Sequence, residues 1–170
     1  PLLLSKKSTI PSDDLLLDLA NHPRLVGVKY AVNDLDAFTT TCRRDAGRLE
    51  WSCGSAERHA PFFLMAGAAA YTSGAGNICP RLTLAMHAAA SQGDWPEALR
   101  LRELIAPIEE FRARDGSSYN IAMLKYALMV CGHDFGRPRP PQRRLTAEEQ
   151  REIEHLLKPI LKAEQELAAM

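Results

Sequence analysis

The sequence has no CxxC pair and no Cys/His cluster. Its four cysteines, Cys42, Cys53, Cys79 and Cys131, are widely and irregularly spaced, which argues against the ligand patterns of structural zinc sites. The five histidines, His22, His59, His87, His133 and His155, form no pair at helical ligand spacing. Free thiols in a reducing cytoplasm are the expectation, and no metal is expected. No apolar run approaches the ~20 residues that cross a bilayer, so no membrane partner is predicted. There is no excess of either charge: 21 Lys and Arg face 21 Asp and Glu, which points away from nucleic acid. The opening Pro1-Leu2-Leu3-Leu4-Ser5-Lys6-Lys7 lacks the charged-then-apolar order of a signal peptide. It also lacks an initiator methionine, as expected of a processed or partial product.

What is present is 170 residues, 46% of them hydrophobic, enough for an ordinary globular domain with a real core. Within it, Leu25-Val26-Gly27-Val28-Lys29-Tyr30 reads as a short buried strand with a lysine near its carboxyl end. Alternation puts Leu25, Gly27 and Lys29 on one side and Val26 and Val28 on the other. Gly27 would leave room there for a substrate. A lysine in an apolar strand is seldom tolerated unless something uses or pairs it. Taken out of water, its amine loses its proton more easily and becomes a nucleophile toward carbonyl carbon. The plain alternative is a strand-end lysine that leans into solvent.

Helix and strand signals alternate through the first half. Ser12, with Asp13 and Asp14, opens a helix striped by Leu15, Leu16 and Leu19. Asn33 or Asp34 opens a second, which ends near Gly47. Leu49 to Cys53 reads as the next strand, closed by Gly54. A third helix follows to about Gly67, with Pro61 in its first turn or at a kink. Ala69 to Ser73 reads as a further strand, Gly74 to Asn77 as a loop, and Pro80 opens a helix ending at Gly93. This order is that of a parallel α/β fold.

Strand signals vanish after about residue 80. Helices are predicted at 95–113, bent at Pro107, at 119–131, and at 147–169, the last opened by the capping box Thr146-x-x-Glu149. Residues 135–144 form a proline- and arginine-rich connector, read as a solvated loop. Gly74-Ala75-Gly76-Asn77 is no dinucleotide fingerprint, since the third glycine and the distant acidic residue are missing. In parallel α/β sheets chemistry gathers at the carboxyl ends of strands. Here those are Lys29, Cys53-Gly54 and Thr72-Ser73-Gly74. Backbone N–H groups at the second and hydroxyls at the third would suit a small acid, and ordinary turn residues would look the same. Lys125 is the competing lysine, but it lies in a helical segment from which its head can snorkel outward.

The ordered set Val26-Gly27-Val28-Lys29, Cys53-Gly54-Ser55-Ala56-Glu57, Ala66 to Ser73, Asn77, Pro80, Gly93-Asp94, Ala98 and Arg139-Pro140-Pro141 resembles the carboxyl-terminal part of the dihydrodipicolinate synthase / N-acetylneuraminate lyase family of class I aldolases. The resemblance covers essentially the whole chain. It implies part of an α/β (β/α)8 TIM barrel in residues 1–94, namely its last three strands, followed by a helical carboxyl-terminal extension in residues 95–170. It implies that Lys29 forms a Schiff base with pyruvate or a related 2-oxo acid, with an aldehyde or sugar acid as further substrate. Gly54 would face the bound acid, Thr72 and Ser73 would line its pocket, and Asn77 would fix the loop after the last strand. No cofactor is expected, because the iminium is the electron sink, and the family assembles as dimers or tetramers. The family's proton-relaying tyrosine would fall at or just before Pro1, and the dicarboxylate-binding arginine of the true synthases near Lys6-Lys7, where no arginine occurs. Tyr71-Thr72-Ser73 is similar to the family's sugar-acid dehydratases.

Two readings stand side by side. One is a Schiff-base lyase, inactive as an isolated fragment, in which Lys29 is buried and faces Gly54 and Ser73. The other is a non-catalytic truncated half-barrel that serves as an assembly or interaction module.

Overall fold

A computed structural model describes residues 1–7 and 11–169. The chain divides into two compact units, Pro1–Thr72 and Ser73–Met170, where its size alone suggested one. The first holds four parallel strands, β1 (Leu2–Lys6), β2 (Leu25–Tyr30), β3 (Glu50–Cys53) and β4 (Ala70–Tyr71), in the order β1-β2-β3-β4. Helices α1 (Asp13–Leu19), α2 (Leu35–Asp45) and α3 (Ala56–Met65) alternate with them.

Three strands were expected and four are present. The missed one is β1, whose Leu-Leu-Leu run does not alternate and whose lysines suggest a solvated end. It becomes a strand because β2 offers a parallel edge, pairing Leu4 with Val28 and Lys6 with Tyr30. The lysine is then buried, paired with Asp13 and 5.3 Å from the ring centre of Tyr30.

The helices start where the sequence marks them. Ser12 Oγ accepts from Leu15 N and Asp34 Oδ1 from Ala37 N, satisfying amides that the first turn leaves open. Helix α2 ends on left-handed Ala46 and Gly47. The buried Asp45 carboxylate then accepts from Leu49 N at 2.9 Å and Trp51 Nε1 at 3.1 Å, which fixes the entry to β3. Pro61 falls inside α3.

The core of this unit lies on one face of the sheet. Val28, Tyr30, Trp51 and Cys53 meet Leu16, Phe38 and Phe63 from the helices. Phe38 sits 4.7 Å from Phe63 and 5.2 Å from Tyr30, centre to centre. These are edge and tilted ring contacts, each worth roughly 0.5–1.5 kcal/mol beyond the area buried.

The second unit is helical: a single 3-10 turn (Ala75–Asn77), then α4 (Pro80–Ser91), α5 (Trp95–Ser117), α6 (Asn120–Val130) and α7 (Ala147–Ala168). The α-helical dihedrals of α5 break at Arg114, Asp115 and Gly116, so its regular part ends where the sequence predicts. Leu82, Met86, Ile105, Ile108, Phe111, Met123, Ile153 and Leu157 are buried within it. Glu164 of α7 accepts from Arg81 N and Leu82 N at 3.1 and 2.9 Å, a cap for α4 supplied from 83 residues away. The Thr146–Glu149 capping box is present. The connector does more than pass through solvent: the Arg143 guanidinium stacks 3.6 Å from the Tyr119 ring centre and bonds to Asp115 and Glu149.

The chain therefore has an α/β fold of four parallel strands alternating with helices, followed by a purely helical carboxyl-terminal region, as in a partial (β/α) barrel with a helical extension.

Candidate active site

The site begins with the pleat of β2. Val28 and Tyr30 enter the aromatic core, so Gly27 and Lys29 leave by the opposite face of the sheet. The register extends that face sideways. Leu3, Gly27 and Glu50 form one row across the strands, and Ser5, Lys29, Ser52 and Ala70 form the next. One step further toward the carboxyl ends come Ala31, Gly54 and Thr72, held by bonds from Ala31 N to Lys6 O, Gly54 N to Tyr30 O and Thr72 N to Cys53 O.

Lys29 is half-buried rather than buried. The aromatic core lies on the other side of the sheet and the lysine's own face carries no helix from this unit's core cluster. Among the described residues no ion pair occupies its ammonium. Its charge is felt by Cys53, whose thiol burial pushes up to about 11, with the Ser55 amide and Lys29 pulling it back and Glu57 adding to the rise.

The glycines serve packing. A Cβ on Gly27 would lie 2.5 Å from the Glu50 carbonyl oxygen and 3.2 Å from Leu3, so the space beside this glycine is already filled by neighbouring strands rather than kept for a substrate. A Cβ on Gly54 would meet the Ala31 Cβ at 2.5 Å. The Gly54 N–H, expected to greet an acid, is spent on Tyr30 O at 2.6 Å.

Thr72 is half-buried and its Oγ1 reaches Cys53 O at 3.5 Å. Lys29, Gly54 and Thr72 share a unit and a face. Ser73 opens the second unit, where its Oγ accepts from Gly76 N at 2.6 Å. Asn77 fixes the same turn, its Nδ2 donating to Gly74 O at 3.0 Å. Lys125 does not end free in solvent: its Nζ donates to Phe135 O and Arg137 O, at 2.9 and 3.3 Å, and so fastens the connector. Lys6 is turned to the helix-covered face, away from Lys29.

Sequence reasoning did not bring Ser5 and Ser52 level with Lys29. The signal for Ser52 was alternation, since a residue between Trp51 and Cys53 must leave by the face of Lys29. Ser5 required knowing that residues 2–6 form a strand and in which register.

Among the described residues no group of three or more His, Cys, Asp or Glu side chains could hold a metal ion, the four cysteines are free thiols, and no helix is long and apolar enough to cross a membrane.

Comparison with known proteins agrees with this architecture. Residues 13–160 match the dihydrodipicolinate synthetase family. A probable 5-dehydro-4-deoxyglucarate dehydratase of Bradyrhizobium diazoefficiens is 29% identical over 98% of this chain and 55% of its own length. A 4-hydroxy-tetrahydrodipicolinate synthase of Corynebacterium diphtheriae is 30% identical over 88% of this chain and 47% of its own length. The crystal structure of dihydrodipicolinate synthase from Oceanobacillus iheyensis superposes with a TM-score of 0.88 at 34% identity, covering 93% of this chain and 53% of the other. The chain thus spans about half the length of the relatives it matches, and over that span it belongs to the dihydrodipicolinate synthetase family, a family of class I Schiff-base aldolases and lyases.

Proposed function

We propose that this chain is the lysine-bearing, carboxyl-terminal part of a lyase that joins Lys29 to pyruvate or a related 2-oxo acid. The observation that carries the reading is the placing of Lys29: near the carboxyl end of a central parallel strand, half-buried, and on the face opposite the aromatic core. Family membership supports the chemistry. An amine attacks the ketone, water leaves, and the iminium draws electrons from the adjacent carbon, so that a C–C or C–O bond is made or broken. Gly54 offers a flat wall beside the bound acid, and Thr72 and the following Ser73 are its proposed polar contacts. The lysine iminium needs no further cofactor.

The relatives carry the names of a synthase and of a sugar-acid dehydratase, so the second substrate is proposed as an aldehyde or a sugar acid. The division of the chain into barrel (1–94) and helical extension (95–170), assembly as dimers or tetramers, and a cytoplasmic setting belong to the same proposal. Four free thiols support the last.

The test is borohydride trapping with pyruvate on the natural protein, read by peptide mass spectrometry. A reduced adduct on Lys29 is the expected result. No adduct on folded protein, with pyruvate or with 2-oxo-3-deoxy sugar acids, overturns the reading and leaves the non-catalytic assembly module in its place.

A further inference from the structure

The helical unit holds a cavity of about 670 Å³, within the range of roughly 300–1,000 Å³ typical of small-molecule sites. Helix α6 supplies one wall and the proline- and arginine-rich connector another. Local bonds fix both walls. Lys125 Nζ donates to Phe135 O and Arg137 O at 2.9 and 3.3 Å, and Asp134 Oδ1 accepts from Gly136 N at 2.7 Å. Met129, Pro138 and Leu145 give the cavity apolar surface. Arg137 and Arg144 line it as well, and both are exposed. Among the described residues neither guanidinium has a hydrogen bond or an ion pair. Their neighbour Arg143 differs, since it is bonded to Asp115 and Glu149.

We propose that this cavity binds a small organic phosphate, a monoester whose head sits on Arg137 and Arg144 and whose apolar body lies against Met129, Pro138 and Leu145. Charge selects the head. Lys125, Arg137 and Arg144 face the cavity, and Asp134 is the one carboxylate that lines it among the described residues. An excess of two positive charges therefore borders apolar surface. A single carboxylate would offset one of them. A phosphate monoester carries close to two negative charges on one head, with three strong acceptor oxygens. A guanidinium takes two such oxygens through parallel N–H bonds and keeps its own proton throughout. The Lys125 ammonium spends two of its three N–H groups on the connector and has a third for the same head. Inorganic phosphate alone would leave most of the cavity and its apolar wall unfilled. The site is built from the helical unit only, and it does not rest on the role proposed for Lys29.

The experiment is calorimetric titration of the natural protein, at low salt and about pH 8 so that the ester is doubly charged, with phenyl phosphate, benzoate, inorganic phosphate and phenol. The same titrations are run on Arg137→Gln, Arg144→Gln, the double variant and Lys29→Arg. Phenyl phosphate is expected to bind at one site per chain, about tenfold or more tighter than benzoate or inorganic phosphate, and phenol is expected not to bind. Each glutamine should weaken phenyl phosphate about tenfold and the pair about 100-fold, as expected for lost hydrogen bonds to a charged group. Neither arginine holds a partner, so these variants keep the fold, and Lys29→Arg should bind as the natural protein does. Equal binding of inorganic phosphate reduces the site to a charged surface and overturns the proposal. Equal binding of benzoate overturns the choice of phosphate. Binding that survives the double variant, or that Lys29→Arg abolishes, places the ligand elsewhere and overturns it too, as does the absence of saturable binding.

Discussion

The two faces of the sheet treat polar groups in opposite ways. On the helix-covered face Lys6 is buried against Asp13, and the Asp45 carboxylate holds the Leu49 amide and the Trp51 indole. On the other face Ser5, Lys29 and Ser52 stand in one row without such partners among the described residues. The physical difference is solvent. A buried polar group left unpaired costs about 1–3 kcal/mol, so the covered face must pair whatever it encloses. The open face carries no such obligation and can keep a lysine and two hydroxyls uncommitted. On the covered face partnered polar groups mark structure, and on the open face Lys29, which has no such partner among the described residues, is where chemistry is proposed.

The comparison breaks or sharpens on substitution. The largest effect separates function from stability. Lys29→Arg is expected to abolish trapping of pyruvate, because a guanidinium keeps its proton and forms no imine. The same variant should leave urea stability within about 0.5 kcal/mol, as surface changes usually do. Phe38→Ala on the covered face should cost roughly 3–5 kcal/mol in the same melts. If Lys29→Arg unfolds the protein as Phe38→Ala does, the lysine is structural and the contrast between the faces fails.

The next contrast sets one polar group against another. Asp45→Ala strands the Leu49 amide and the Trp51 indole, and is expected to lose roughly 2–6 kcal/mol by summing two such donors. Ser52→Ala, by the same chemical denaturation, should change stability by less than about 0.5 kcal/mol. Gly54→Ala tests how tightly the open face is built. Its new Cβ would overlap Ala31, which predicts a loss of about 1–3 kcal/mol from overpacking.

The last contrast is a pH slope. Burial raises the Cys53 thiol to about 11 and the Cys42 thiol to about 12, whereas an unfolded thiol titrates near 8.5. The unfolded chain thus releases its thiol protons first. Stability from these groups is fully present below about pH 8.5 and is lost as pH rises toward 11. Urea midpoints measured from pH 8 to 11 should fall, and the fall should be shallower in Cys53→Ala.

Much of this was legible in the residues. Ser12, Asp34 and Thr146 start helices because their side chains accept amide protons that no helix can satisfy internally, a purely local requirement. Alternation put Lys29 and Val28 on opposite faces of their strand, though not which face holds the core, and the predicted end of α5 at residue 113 coincides with its dihedral break. Local chemistry did not reveal β1. Its trileucine run has no period, and only the edge of β2 turns it into a strand. Nor did it reveal that Gly27 and Gly54 have their space taken by Glu50, Leu3 and Ala31, or that the Gly54 amide is spent within the sheet. These depend on what lies beside a residue across the sheet.

By itself, then, the sequence determined the order of the elements after β1, most of their starts and stops, and the lysine near the end of β2, because capping, periodicity and charge act over a few residues. Tertiary structure alone decided which groups stand level with that lysine. Register joins residues 24 and 23 positions apart, Ser5 to Lys29 and Lys29 to Ser52, and parallel pairing is settled only when separated strands meet and bury a common face.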